Sequence, residues 1–120
     1  MKVIAALGLI AVLITGCAAP VVATKRIPIS KSQTATIKET TAYNLKDPGS
    51  AQFRNIRQIE RTHQDGTKSL LVCGEVNGRN AFGGYVGFST FHGTLQGRKF
   101  KLNGIGNADT NWLYVANCPG

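Results

Sequence analysis

The sequence predicts an α+β domain in which an N-terminal helix packs on a four- to five-stranded antiparallel sheet. Three observations carry that expectation. Residues 32–46 combine a capping pattern with apolar side chains at helical spacing. Gln64-Asp65-Gly66-Thr67 places an Asp-Gly hairpin signal between two strand-like runs. From residue 55 onward, short strand-like runs alternate with glycine- and asparagine-bearing turns, so neighbours in sequence can pair without a parallel crossover.

The helix is expected over Ser32 to Lys46. Thr36-x-x-Glu39 fits a capping box, and Ile37, Thr41, Ala42 and Leu45 fall on one face. The threonines weaken it, because β-branched side chains lose rotamer freedom in a helix. Pro48 disfavours helix at Asp47, which ends the element. Ser50 then caps a short turn through Ala51-Gln52-Phe53, with Phe53 as a core anchor. The strands are expected at Asn55–Thr62, Ser69–Val76, Tyr85–His92, Gln96–Leu102 and Asn111–Asn117. Ile56 and Ile59 are spaced awkwardly for strict alternation, which suggests a bulge in the first. In the last, strand alternation would put Trp112, Tyr114, Ala116 and Cys118 on one core-facing side.

The N-terminus carries the strongest motif. Lys2 is followed by an apolar run from Val3 to Ile14, then Thr15-Gly16 and Cys17. A transmembrane helix is a poorer reading, because about twelve apolar residues fall short of the roughly twenty that cross a bilayer. A plain cleaved signal is a second alternative, with Ala18-Ala19 near the cut. Leu13-Ile14-Thr15-Gly16-Cys17 resembles the lipobox of bacterial lipoproteins. The resemblance implies cleavage before Cys17, a diacylglyceryl thioether on its sulfur and an acyl group on the new N-terminus. Two or more chains would make attachment stable where one is marginal. Ala18, rather than Asp, follows the cysteine, which in a host with two membranes implies sorting to the outer membrane, on its periplasmic side. The expected organisation is a signal peptide over residues 1–16, a lipidated N-terminus and flexible tether over 17–31, and one α+β domain over 32–120. The tether, with Pro20 and Pro28, would lift the domain off the bilayer.

The lipobox reading also accounts for the odd cysteine count. Of three cysteines, lipidation of Cys17 leaves Cys73 and Cys118, and an oxidising compartment favours their disulfide. The formal charge of +8 is high for 120 residues. It fits plain solubility, or attraction to anionic envelope material such as lipid head groups, phosphates or cell-wall carboxylates. Export and the lack of a basic helix interleaved with aromatics argue against nucleic acid. The densest basic patches are Lys25-Arg26, Arg54/Arg57/Arg61 and Arg98-Lys99-Lys101.

Two blocks stand out: Asp47-Pro48-Gly49-Ser50-Ala51-Gln52-Phe53, and Cys73-Gly74-Glu75-Val76-Asn77 running into Asn80-Ala81-Phe82-Gly83-Gly84-Tyr85. From about Asp47 to Phe91 the chain resembles a small exported module of bacteria and phages. That resemblance implies a fold and a disulfide, and no activity. Arg79, Asn80, Phe82 and Tyr85 form a candidate interaction loop on a rigid scaffold. The competing reading is structural, with glycines and asparagines shaping the turn and Tyr85, Phe88 and Phe91 in the core.

Catalytic readings are weaker. Cys73 with His92 would make a thiol–imidazole pair, but the disulfide competes for the thiol. His63 and His92 lack metal-ligand spacing. Glu75 and Asp109 are candidates for an acid–base pair only in principle. Gly83-Gly84 lacks the Lys-Ser/Thr of a phosphate loop. The expectation is a non-catalytic envelope lipoprotein without metal or cofactor. It would contact an envelope protein or anionic polymer, and membrane through the lipid on Cys17. An exclusion or inhibitor lipoprotein and a cell-wall enzyme are the alternatives.

Overall fold

The computed structural model describes residues 19–107 and 109–118. The signal-peptide segment and Cys17 lie outside the described residues. The order is β1 (Val21–Ile27), α1 (Lys31–Tyr43), a 3-10 turn (Pro48–Ser50), β2 (Gln52–His63), β3 (Lys68–Asn77), β4 (Ser89–Gln96), β5 (Lys99–Ile105) and α2 (Asn111–Asn117). The five strands form one sheet in sequence order, each antiparallel to its neighbour. The α+β class and the neighbour-to-neighbour pairing stand; the elements change at the tether, at the helix ends and at the C-terminus, and the bounds of β4 and β5 shift.

The first change is at the tether. Residues 21–27 form an edge strand paired with β2, from Val21 opposite His63 to Ile27 opposite Gln58. The helix is therefore not the first element. All of β1 except Ile27 is exposed, so no burial alternation marks it in the sequence.

The second change is at the helix ends. The capping box sits at Ser30, not Thr36. Ser30 Oγ accepts from the Gln33 amide at 3.1 Å, and Gln33 Oε1 accepts from the Ser30 amide at 3.0 Å. Thr36 lies inside the helix and donates its hydroxyl to the Ser32 carbonyl at 3.1 Å. The helix stops at Tyr43, three residues before the expected Lys46.

The third change is at the C-terminus, where the expected strand is α2. Asn107 Oδ1 accepts from the amides of Asp109 at 2.9 Å and Thr110 at 3.0 Å, and Asn111 N then donates to the Asn107 carbonyl at 2.9 Å. This Asx turn starts a helix that alternation cannot reveal. Trp112 and Leu113 are exposed, at 67% and 44%. Tyr114 and Cys118, four apart, face the sheet, where Tyr114 stacks on His92 at 4.8 Å and Cys118 joins Cys73. The disulfide has the expected partners, with their Cα atoms 5.8 Å apart.

The two later sheet strands run three to four residues later than expected. Tyr85 to Phe88 lie outside β4, and β5 continues to Ile105. The bulge is real: register shifts between Arg54 and Arg57, and Asn55 adopts φ 56°. It puts Ile56 against the cluster on one face and Ile59 in the cluster on the other.

The main core lies between α1 and the sheet. Ile37, Val72, Val76, Phe91 and Phe100 are buried there, with Phe53, Leu95 and Ile105 packed against them. Gly74 makes room for Phe91, since a Cβ at Gly74 would stand 2.6 Å from the ring. The opposite face holds a smaller cluster of Ile59, Leu71, Cys73 and Cys118.

This topology gives the sheet two different ends. The β2–β3 and β4–β5 turns share one end with the start of β1. The 3-10 turn and residues 78–88 occupy the other. The 12 residues of β2 run between the ends and, at the usual strand rise, span about 40 Å.

Candidate functional site

The two sequence blocks singled out above meet at the second end and form one hydrogen-bonded unit. Ser50, 4% exposed, is its centre. Its hydroxyl donates to the Asp47 carbonyl at 2.7 Å and accepts from the Arg79 amide at 2.8 Å. Its carbonyl accepts from the Tyr85 hydroxyl at 3.1 Å. Arg79 Nε pairs with Asp47 Oδ2 at 3.4 Å, and its guanidinium lies 5.9 Å from the Tyr85 ring centre. Both charges of that pair are about half exposed, so its contribution is small.

Inside the loop, Asn80 does the shaping. Its Oδ1 accepts from the amides of Phe82 at 3.0 Å and Gly84 at 3.1 Å, while its own amide donates to the Gly84 carbonyl at 2.8 Å. Gly83 takes φ 83°, which a side chain would strain. Asn77 Oδ1 accepts from the Gly87 amide at 3.0 Å and ties down the return of the loop. Backbone partners inside the turn are thus satisfied by its own asparagines.

The four candidate loop residues therefore divide. Arg79, Asn80 and Tyr85 hold the loop together. Phe82 touches none of this network through its side chain and is 97% exposed. Tyr85, 48% exposed, is not in the core as expected. Phe88 is half-buried, with the Arg54 guanidinium 3.8 Å from its ring centre. Phe91 alone of the three expected aromatics is fully buried.

Beside the loop lies an open groove of about 670 Å³. Leu45, Val76, Val86, Phe88 and Ile105 give it apolar walls, and Asn44, Asn107 and Asn111 line it with polar groups. Arg79 and Asn80 stand on its edge. Sequence reasoning found the loop but missed the groove, which needs the end of α1, the end of β5 and the start of α2 together. Ser50 was expected to cap a turn through Ala51-Gln52-Phe53, but it closes the Pro48–Ser50 turn, and Gln52 and Phe53 belong to β2. Its second role, bonding a loop 29 residues away, leaves no local signal.

The candidate catalytic groups do not assemble. Cys73 is cross-strand from His92, but its sulfur is in the disulfide. Burial, and secondly the charge of Arg61, lowers the His92 pKa. His63 is held structurally: Nδ1 meets the Ala19 carbonyl at 2.8 Å and Nε2 meets Ser69 Oγ at 2.9 Å. Glu75 is paired with Arg54 at 3.0 Å. Among the described residues no three His, Cys, Asp or Glu side chains group as metal ligands, and no helix is long and apolar enough to cross a membrane.

Fold and site together define a five-stranded meander with a helix on each face, one of them disulfide-pinned, and a preformed loop at one end. No protein-family model, curated protein or solved structure matches the chain. The lipoprotein and exported-module resemblances therefore rest on the sequence motifs alone.

Proposed function

We propose that this chain is an envelope lipoprotein, anchored through Cys17, that works as a small non-catalytic interaction module. Its contact element is the 79–85 loop, and Phe82 inserts into an apolar pocket of an envelope protein. One observation carries the reading: a phenylalanine held 97% exposed at the tip of a loop whose backbone is already hydrogen-bonded. Exposing a large aromatic side chain forgoes its burial, and a preorganised aromatic anchor is the kind of side chain that dominates binding energy. The odd cysteine count supports the anchor, since Cys73 and Cys118 are bonded to each other.

The test is an in-cell crosslinking pull-down with three forms: native chain, Cys17→Ala and Phe82→Ala. A dominant protein partner is expected with the native chain and lost with Phe82→Ala, while the disulfide and thermal unfolding stay unchanged. The Cys17→Ala form should lose the membrane fraction, and mass spectrometry of the native N-terminal peptide should show the diacylglyceryl group. Capture that survives Phe82→Ala would contradict the role of the loop. An unmodified Cys17 would contradict the anchor.

A further inference from the structure

The anchor just proposed leaves almost no leash. The Ala19 carbonyl bonds His63 Nδ1 at 2.8 Å, and the Pro20 carbonyl accepts from the Gln64 amide at 2.9 Å. Only Ala18 separates Cys17 from this fixed chain, and one residue reaches at most about 3.6 Å. A domain held so closely must rest a surface on the bilayer.

The sheet face opposite α1 has the chemistry for that contact. Arg26 is cross-strand from Ile59, and Arg57 and Arg61 flank Ile59 by two residues on the same face. Diagonal cross-strand neighbours lie about 7–8 Å apart, so the three arginine positions border one buried isoleucine. Arg57 is 8% exposed and is held by the carbonyls of Asn55 and Cys118, each at 3.0 Å. Arg26 is exposed and Arg61 half-buried, and neither has a carboxylate partner among the described residues. Arg61 Nε is buried with no hydrogen-bond partner among them. Lys99 and Lys101, by register with Gln96 and Thr94, extend the same face on β5. The carboxylate there, Glu75, is taken by Arg54. Glu60 points to the other face, toward Lys68 at 3.6 Å. The cluster is also close to the anchor: Arg61 is two residues from His63, which bonds Ala19.

We propose that the face carrying Arg26 and Arg61, flanked by the buried Arg57, is a bilayer-docking surface that takes the phosphate groups of anionic phospholipids, an inference that rests on the Cys17 anchor. Guanidinium groups match phosphate oxygens in paired hydrogen bonds, and each basic side chain near an anionic surface adds to attraction. Docked this way, the chain lies with β1 and β2 against the head groups instead of standing off on a flexible stalk.

The test reconstitutes the mature lipidated chain, purified from cell membranes, into vesicles of phosphatidylcholine alone, or of phosphatidylcholine and phosphatidylglycerol in equal parts. Amide exchange is followed across residues 21–27. Flotation with the pure phosphatidylcholine vesicles reads the anchor by itself. The expected result is exchange in β1 slowed roughly tenfold by the anionic lipid, and reversed by salt. The Arg26→Gln, Arg61→Gln double variant should float equally but lose the slowing, with core exchange in β3 unchanged as the folding control. Arg57 is left intact because it holds the end of α2. Equal exchange on both vesicles in a chain that floats would overturn docking and leave the anchor standing. Failure to float on phosphatidylcholine would overturn the anchor and, with it, the short leash on which docking depends. The same slowing by inorganic phosphate without vesicles would also overturn it, marking a small-anion site.

Discussion

The two faces of the sheet are stabilised in different ways. On the α1 side, Phe91 packs edge-on against Phe53 at 6.0 Å and Phe100 at 6.5 Å, over Ile37, Val72 and Val76. On the α2 side, a seven-residue helix shows Trp112 and Leu113 to solvent and is fixed by a disulfide, an Arg57 bond and the Tyr114–His92 stack. A helix that short has little stability of its own. The difference teaches that one large apolar core suffices for a domain of this size when the smaller cluster on the other face is closed covalently. The second face is then free to carry arginines where a larger core would need apolar residues.

That comparison can be broken or sharpened by experiment. Phe91→Ala empties the larger core and is expected to cost about 3–5 kcal/mol in urea unfolding, with faster amide exchange in both helices. Removing the staple with Cys73→Ala and Cys118→Ala opens a 45-residue separation and is expected to cost roughly 3–4 kcal/mol. Here exchange should rise first in α2 and leave α1 protected. Equal loss in both helices would erase the distinction between the faces. A smaller effect follows from His92, whose folded-state pKa lies below the ordinary 6.5 because of burial and the Arg61 charge. The unfolded chain therefore takes up the proton first, and stability falls as pH drops through about 6.5. Thermal unfolding between pH 7.5 and 5.5 should show that slope, and His92→Gln should flatten it. The smallest change is a gain on the α1 side. Thr41 is fully buried, and its hydroxyl has no hydrogen-bond partner among the described residues. Thr41→Val should therefore stabilise by about 1 kcal/mol in the same urea assay.

The sequence displayed these regions unequally. The β2–β3 hairpin was legible because Asp65-Gly66 is a turn with a mechanism: Asp65 Oδ1 accepts from the Thr67 amide at 3.0 Å and Gly66 takes φ 85°. The bulge was legible because misplaced Ile56 and Ile59 each needed a different apolar face. β1 was hidden because an exposed edge strand carries no burial alternation, and prolines on either side suggest a linker. α2 was hidden because Tyr114 and Cys118 fit both periods, two and four, and only the Asn107 turn decides between them. The loop residues were identifiable by type, but which of them holds the loop and which is presented depends on Ser50. The groove and the arginine cluster required pairings between segments that no local pattern records.

The central claim is a division of labour: the 79–85 loop meets a protein while the arginine face meets lipid. It is tested most directly by placing a photo-crosslinking residue at Phe82 or at Thr24, the exposed position opposite Arg61 on β1, and irradiating intact cells. The account predicts one discrete protein adduct from position 82 and phospholipid adducts from position 24. Lipid adducts at 82 together with a protein adduct at 24 would contradict it.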